Sequence, residues 1–197
     1  MTDTTERFIV SFPKYNAVSN IYCISGTYGG HCGPNNLYST FDADKYCSNI
    51  IKIHTSSDLI LCINEVVDVI INFNKKHNLP IILVGWSQGG YTIINAIKNL
   101  ASTKLYKNIK LAIIISSRPE NTDYISQMIN INKYIICGNF DTDMRLNGAK
   151  EMFKKASEPK TYIEITNGTH NYEYSECFTE LYLHIDKIIS EQINKFL

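Results

Sequence analysis

The feature that most constrains the fold is the stretch 80–97, where a strand-like sequence passes directly into a helix-like one. Residues 81–84 form an uninterrupted apolar run of strand length that is mostly β-branched. Ile93, Ile94 and Ile97 then recur at the spacing of one helix face. The sequence therefore predicts a buried strand that is followed, after a very short connection, by a helix.

The short connection contains a G-x-S-x-G pattern, formed by Gly85, Ser87 and Gly89. In this pattern a serine occupies a strained strand-to-helix turn that exposes its hydroxyl. Because glycine has no Cβ, Gly85 and Gly89 allow the strand and the helix to approach closely. The helix start would also place the Gln88 N–H and the positive end of the helix dipole beside an oxyanion. Ser87 is therefore a candidate nucleophile, and the alternative is a solvated serine in a glycine-rich turn.

The charge balance narrows the expected partners of the chain. The 197 residues, which we predict to form one domain (1–197), include 19 basic and 19 acidic side chains and carry no net charge. These charges are spread without long runs, so the sequence lacks the basic surface that nucleic acids or anionic membranes require. We expect a small-molecule or acylated substrate and no nucleic-acid partner, and the sequence leaves the oligomeric state open.

The cysteine pattern and the absence of long apolar runs indicate in which cellular compartment the protein works. The six cysteines form no C-x-x-C pair and do not cluster with histidines, and they occur at positions 23, 32, 47, 62, 137 and 177. This pattern favours buried thiols over a zinc or redox site. Residues 1–7 lack the order of a secretory signal, and no apolar run approaches the roughly 20 residues that span a bilayer. We therefore expect a reduced, cytoplasmic protein without an integral membrane segment.

Predicted strands and helices alternate along the chain. The predicted strands cover residues 8–12, 20–25, 50–54, 81–84, 110–116, 133–137 and 161–166. The predicted helices cover 58–73, the segment after Ser87, 123–130, 144–156 and 181–196. This alternation predicts an α/β fold, with a mostly parallel sheet, helices on both faces and no room for a cap domain. The binding site should then be open and lie at the carboxyl ends of the strands.

A serine nucleophile needs an imidazole to accept its proton and a carboxylate to orient that imidazole. In a parallel sheet these groups can converge when each follows a different strand. Ser87, Asp141 and His170 each follow a predicted strand, in the order serine, acid, histidine. The other four histidines either precede the acid or lie in a helix. The sequence therefore predicts a Ser87-His170-Asp141 triad.

Asp143 is a second candidate for the triad acid. It lies two residues after Asp141 and could belong to the same loop. We prefer Asp141, because Asp143 immediately precedes the helix predicted to begin near Met144 and capping would give it a sufficient structural role.

A glycine-rich segment follows the predicted strand at 20–25. Residues 26–33 contain four glycines, which leave backbone N–H groups accessible. A flexible turn would explain this composition. We favour an oxyanion loop, since the fold that carries the G-x-S-x-G turn takes an N–H donor from a loop after an early strand.

From residue 20 to its final helix, the chain resembles the α/β-hydrolases. Its segment 85–90, Gly-Trp-Ser-Gln-Gly-Gly, resembles the G-[FW]-S-Q-G-G turn of the acyl-protein thioesterase and carboxylesterase group. Residues 138–141 match that group's Gly-x-x-Asp turn, and 168–170 match its Gly-x-His. The sequence departs from the group at residues 25–27, Ser-Gly-Thr, where His-Gly is usual.

The resemblance implies an uncapped serine hydrolase that acts on carboxylic or thioester acyl groups. The N–H groups of Thr27 and Gln88 would form the oxyanion hole, and no metal or organic cofactor would be needed. The principal prediction is an intracellular esterase or thioesterase. The alternatives are a lipase or peptidase on the same fold, or a catalytically silent binding protein. The complete set of Ser87, Asp141 and His170 favours an enzyme.

Overall fold

The computed structural model describes residues 7–27 and 30–197. Residues 1–6, where no secretory signal is predicted, and Tyr28 and Gly29 of the predicted oxyanion loop lie outside this range. The described residues form a seven-stranded sheet in the order β1-β3-β2-β4-β5-β6-β7. Its strands are β1 Phe8–Ser11, β2 Ser19–Ile24, β3 Ser48–Ile53, β4 Ile81–Trp86, β5 Ile109–Ile115, β6 Asn132–Gly138 and β7 Lys160–Ile165. Only the edge strand β1 is antiparallel to its neighbour, so the predicted mostly parallel sheet is confirmed.

Helices connect the parallel strands. The α-helices are α1 Ala43–Tyr46, α2 Leu59–Lys76, α3 Gln88–Leu100, α4 Asp143–Lys155 and α5 Ser175–Ile193, and short 3-10 helices cover Pro34–Thr40, Tyr106–Asn108 and Asp123–Gln127. None of the helices in the described ranges combines the length and the apolar character that crossing a bilayer requires. The helix predicted at 123–130 is only a 3-10 turn, and α5 begins at Ser175 rather than at Leu181.

The sheet is covered by helices on both faces, as predicted. Helices α2, α3 and α4 pack on one face, and α1 and α5 pack on the other. Residues 81–84 of strand β4 are all apolar because both faces of the strand are covered. Ile81 and Leu83 pack in the core with α2, α3 and α4, while Ile82 and Val84 pack in the core with α1 and α5. A parallel strand that is buried on both faces cannot alternate apolar and polar residues.

The strand register brings the candidate loops to one edge of the sheet. Ile24 at the end of β2 pairs with Gly85 of β4, which places the loop after β2 beside the turn that contains Ser87. Gly138 at the end of β6 pairs with Ile165 at the end of β7, so the loops that contain Asp141 and His170 begin side by side. Among the described residues no inserted segment forms a cap over this edge.

The described cysteines are all free thiols, as the sequence predicts. Four of them are buried, at positions 23, 62, 137 and 177.

Candidate active site

Ser87 lies on the turn between β4 and α3 in a strained backbone conformation. Its φ and ψ angles are 58° and −118°, in a region that a residue with a Cβ rarely adopts. The Ser87 N–H donates to the Ile115 carbonyl oxygen at 2.8 Å, which attaches the turn to the neighbouring strand. Strain of this kind persists only where the surrounding structure determines the conformation, and it is common at functional sites.

Close packing around the turn requires its two glycines. A Cβ on Gly85 would overlap the Gly89 carbonyl, and a Cβ on Gly89 would overlap the carbonyl oxygen of Ile24 on β2. The start of α3 therefore lies directly against β2 and β4. This is the close approach that the G-x-S-x-G pattern predicts.

We expect Gly89→Ala to lower the free energy of unfolding by about 3 kcal/mol, because the new methyl group would collide with backbone atoms that cannot move independently. Gly30→Ala is a suitable control. A Cβ at Gly30 has no heavy atom of the described chain within 4 Å, and only its φ of 55° opposes the substitution, at a cost of about 1 kcal/mol. Urea unfolding of the two variants measures the difference, and equal losses would contradict this account of Gly89.

The structure brings Ser87, His170 and Asp141 together from three different loops. The Nε2 atom of His170 lies 3.1 Å from the Ser87 Oγ, and its Nδ1 atom lies 3.1 Å from Oδ2 of Asp141. Both distances are within hydrogen-bond range. The imidazole can thus accept the serine proton on one nitrogen while its other N–H donates to a carboxylate, which is the arrangement that activates a serine.

The Asp141 carboxylate is fully buried, with no exposed side-chain surface. Burial raises the pKa of Asp141, but the hydrogen bonds from His170 and from the Thr142 N–H, together with the nearby Ser116 hydroxyl, outweigh it and hold the pKa below its usual value. The Thr142 N–H donates to Oδ1 at 2.7 Å, which leaves Oδ2 facing His170. Asp141 is therefore ionised near neutral pH and can stabilise a positive charge on the imidazole.

The structure places Asp143 inside helix α4 rather than at its cap position, so the helix-capping role predicted for it is wrong. Helix α4 begins at Asp143 itself, so the cap position belongs to Thr142. Asp143 is exposed and occupies the first turn of α4. A negative side chain there is stabilised by the positive end of the helix dipole rather than by a cap hydrogen bond.

The His170 loop is held from two sides. The Trp86 indole N–H donates to the His170 carbonyl oxygen at 2.9 Å, and the centres of the Trp86 and His170 rings are 5.2 Å apart. On the other side, the Phe140 N–H donates to the Gly168 carbonyl oxygen at 2.9 Å. A Cβ on Gly138 would overlap that same carbonyl. The Gly-x-x-Asp and Gly-x-His turns therefore pack against each other, a contact that neither motif reveals alone.

The loop after β2 lies against the candidate nucleophile. A Cβ on Gly26 would be 2.7 Å from the Cβ of Ser87. The Thr27 hydroxyl donates to the Gln88 side-chain oxygen, and the Gln88 side-chain nitrogen donates to the Ser56 carbonyl oxygen at 2.9 Å. Gln88 is the first residue of α3, and N–H groups in the first helical turn have no acceptor within the helix. Thr27 and Gln88 thus lie together beside Ser87, where oxyanion donors would be required.

Sequence comparison gives no relative for this chain: no model of a known protein family matches it, and no curated protein does. Comparison with solved structures does find matches. Est1E from Butyrivibrio proteoclasticus superposes with a TM-score of 0.77 at 14% identity, covering 95% of this chain and 94% of Est1E. A dienelactone hydrolase from Anabaena variabilis gives a TM-score of 0.75 at 13% identity, covering 91% of this chain and 88% of its own.

A third match is a protein from Xanthomonas campestris described as an α/β serine hydrolase without a lid. Its TM-score is 0.64 at 13% identity, and the superposition covers 96% of this chain and 88% of that protein. Identities this low carry information about the fold, and in each case the match extends over nearly the whole chain. The chain therefore has the α/β-hydrolase fold that its sequence predicts.

Proposed function

We propose that the protein is a serine hydrolase that cleaves carboxylic ester or thioester bonds through Ser87, His170 and Asp141. The observation that carries this proposal is the continuous path of hydrogen bonds from Ser87 Oγ through both nitrogens of His170 to the buried Asp141 carboxylate. The path lies at the carboxyl edge of the sheet, where ligands bind in open α/β folds.

The proposed reaction has two steps. In the first, the Ser87 Oγ attacks the acyl carbon and its proton moves to Nε2 of His170, which then protonates the leaving alcohol or thiol. In the second, His170 removes a proton from water, the hydroxide attacks the acyl-enzyme, and the proton returns to Ser87 as the carboxylic acid leaves. The N–H groups of Thr27 and Gln88 would stabilise the negative oxygen in both steps.

Two features support an ester or thioester substrate in particular. The edge of the sheet is open over the described residues, and exposed apolar side chains such as Phe140 and Met144 lie on the loop and helix that follow β6. The segment 85–90 also resembles the turn of the acyl-protein thioesterase and carboxylesterase group. A small acylated substrate would place its acyl group against this apolar rim and its carbonyl beside Ser87.

The proposal is tested by measuring the hydrolysis of p-nitrophenyl butyrate and of a butyryl thioester by the purified protein. We expect saturable turnover of at least one of these substrates and its loss in Ser87→Ala. Turnover that is equal in the two proteins, or absent with all ester and thioester substrates of this kind, would contradict the proposal.

We further expect a preference for short or medium acyl chains. Each buried CH₂ group contributes about 0.8 kcal/mol, but an open cleft buries only the first few carbons of a chain. Values of kcat/KM should therefore rise over the first carbons of a p-nitrophenyl ester series and then become constant. A continued rise with the longest chains, measured below their micellar concentrations, would indicate an enclosed acyl tunnel and contradict this expectation.

A further inference from the structure

Three buried side chains that can donate hydrogen bonds form a series that ends at the Asp141 carboxylate. The Tyr172 hydroxyl oxygen lies 2.9 Å from the Ser116 Oγ, and that Oγ lies 4.0 Å from the sulfur of Cys137. The Cys137 sulfur is in turn 3.9 Å from Oδ2 of Asp141, the oxygen that also binds His170. Tyr172, Ser116 and Cys137 are each completely excluded from solvent.

Elementary hydrogen-bond chemistry gives this series a direction. An ionised carboxylate only accepts hydrogen bonds, so the Cys137 S–H must donate to Asp141. A thiol has one hydrogen, so the sulfur can interact with Ser116 only as an acceptor. The Ser116 hydroxyl likewise has one hydrogen, which it donates to the Cys137 sulfur. Its oxygen is then left to accept a hydrogen bond from the Tyr172 O–H. All three dipoles therefore point their positive ends toward Asp141.

The protonation states agree with this direction. Burial, together with the charge of Asp141, raises the pKa of the Cys137 thiol to about 12. Burial also raises the pKa of the Tyr172 hydroxyl well above its usual value. Both groups consequently remain protonated, and able to donate, near neutral pH, where the Asp141 carboxylate is ionised.

The backbone holds these side chains in a fixed arrangement. Ser116 follows β5 with a φ of 43°, its N–H donates to the Ile136 carbonyl oxygen at 2.8 Å, and its own carbonyl accepts from an Arg145 guanidinium nitrogen at 2.7 Å. Tyr172 has a φ of 55°, and its carbonyl accepts from the Asn35 side chain at 3.0 Å. Residues that several hydrogen bonds hold in a strained backbone conformation are common at functional sites.

We propose that Cys137 is a positioning residue, which with Ser116 and Tyr172 forms a relay of hydrogen-bond donors that orients the Asp141 carboxylate toward His170. The relay rests on the proposed function, because the orientation of Asp141 affects turnover only if His170 is the catalytic base. Its three members come from β6, from the residue after β5 and from the loop after β7, so the relay also joins the neighbouring strands around the acid.

Cys137→Ala and Cys137→Ser form a matched pair for testing the relay. Alanine removes the donor, whereas serine keeps a single O–H in nearly the same place. We expect Cys137→Ala to lower kcat about threefold to tenfold with KM nearly unchanged, and Cys137→Ser to restore most of the loss. A purely structural role would affect both variants in proportion to their loss of stability, so thermal unfolding is measured alongside. Equal kcat values for the two variants would overturn the proposal.

Tyr172→Phe tests the far end of the relay. Removing this hydroxyl should lower kcat in the wild-type background but have no further effect in Cys137→Ala, because the connection to Asp141 is already broken. Tyr22→Phe is the control, since Tyr22 is a buried tyrosine whose hydroxyl donates to Asn74 at 2.9 Å in another part of the core. Additive effects of Tyr172→Phe and Cys137→Ala would contradict the relay.

A measurement that does not depend on turnover separates the relay from the proposed function. The proton on Nδ1 of His170, which faces Asp141, is observable by ¹H NMR. We expect its resonance to shift in Cys137→Ala and to return toward the wild-type position in Cys137→Ser. If the wild-type protein hydrolyses esters but neither this resonance nor kcat changes in Cys137→Ala, the relay is wrong. If the resonance shifts as expected but no hydrolysis is found, the relay stands and the proposed function fails.

Discussion

Ser87→Ala is expected to lower kcat by about 10⁶, which is the loss found when a triad serine is removed from a serine protease. The reason is that the proposed acyl-enzyme forms on Ser87, whose Oγ lies 3.1 Å from Nε2 of His170 on the strained turn. Alanine at this position removes only one oxygen atom, so the protein should fold normally. The measurement is kcat for a p-nitrophenyl ester, with thermal unfolding to verify the fold.

Ser48→Ala is the matched control for this variant. Ser48 is also a buried serine, but it lies at the start of β3 and its hydroxyl pairs with that of Ser19 at 2.8 Å. Its replacement should leave kcat close to the wild-type value. If Ser87→Ala retained more than a small fraction of wild-type activity, Ser87 would not be the nucleophile.

Asp141→Asn is expected to lower kcat by about 10⁴, while Asp143→Asn should remain close to wild type. An asparagine at a triad acid no longer stabilises the productive tautomer of the histidine or its positive charge, and this costs about 10⁴ in a serine protease. Asp143 is exposed and only occupies the first turn of α4, where a neutral side chain costs about 0.3 to 1 kcal/mol of stability.

The two aspartates therefore serve as controls for each other. They are two residues apart and both become asparagine, so a general effect of the substitution on the loop would appear in both variants. An inactive Asp143→Asn together with an active Asp141→Asn would show that the acid has been assigned to the wrong residue.

Much of the fold can be predicted because its strands are short apolar runs separated by clear breaks. The N-terminus of α2 can be predicted as well, because aspartate is a preferred capping residue. In the structure the Asp58 carboxylate accepts hydrogen bonds from the N–H groups of Ile60 and Leu61. The juxtaposition of Ser87, Asp141 and His170 follows from a general rule, namely that the carboxyl ends of parallel strands meet at one edge of the sheet.

Other parts of the chain give no periodic signal. The segment 34–47 contains a 3-10 helix interrupted by Asn35 and Asn36 at positive φ, followed by the four-residue helix α1, and neither is long enough to show a helical apolar repeat. The start of α5 escapes prediction because four of the six residues 175–180 are polar and only Cys177 among them is buried, so the apolar repeat becomes evident only at Leu181.

The surroundings of the candidate site depend on tertiary contacts that a linear sequence does not display. The close contact of Gly138 with the Gly168 carbonyl is an example, since it joins the end of β6 to the loop after β7. The support that Trp86 provides to His170, and the series from Tyr172 to Asp141, likewise join residues from separate strands. The sequence can therefore suggest the reacting groups but not the residues that hold them in position.

The central claim is that Ser87 is an activated nucleophile, and covalent labelling tests it most directly. A fluorophosphonate reacts with such a serine by forming an O–P bond and releasing fluoride, which requires no knowledge of the natural substrate. After proteolysis, mass spectrometry should locate one adduct per chain on the peptide that contains Ser87, and Ser87→Ala should remain unlabelled under the same conditions. An adduct on another residue, or labelling that persists unchanged in Ser87→Ala, would contradict the account.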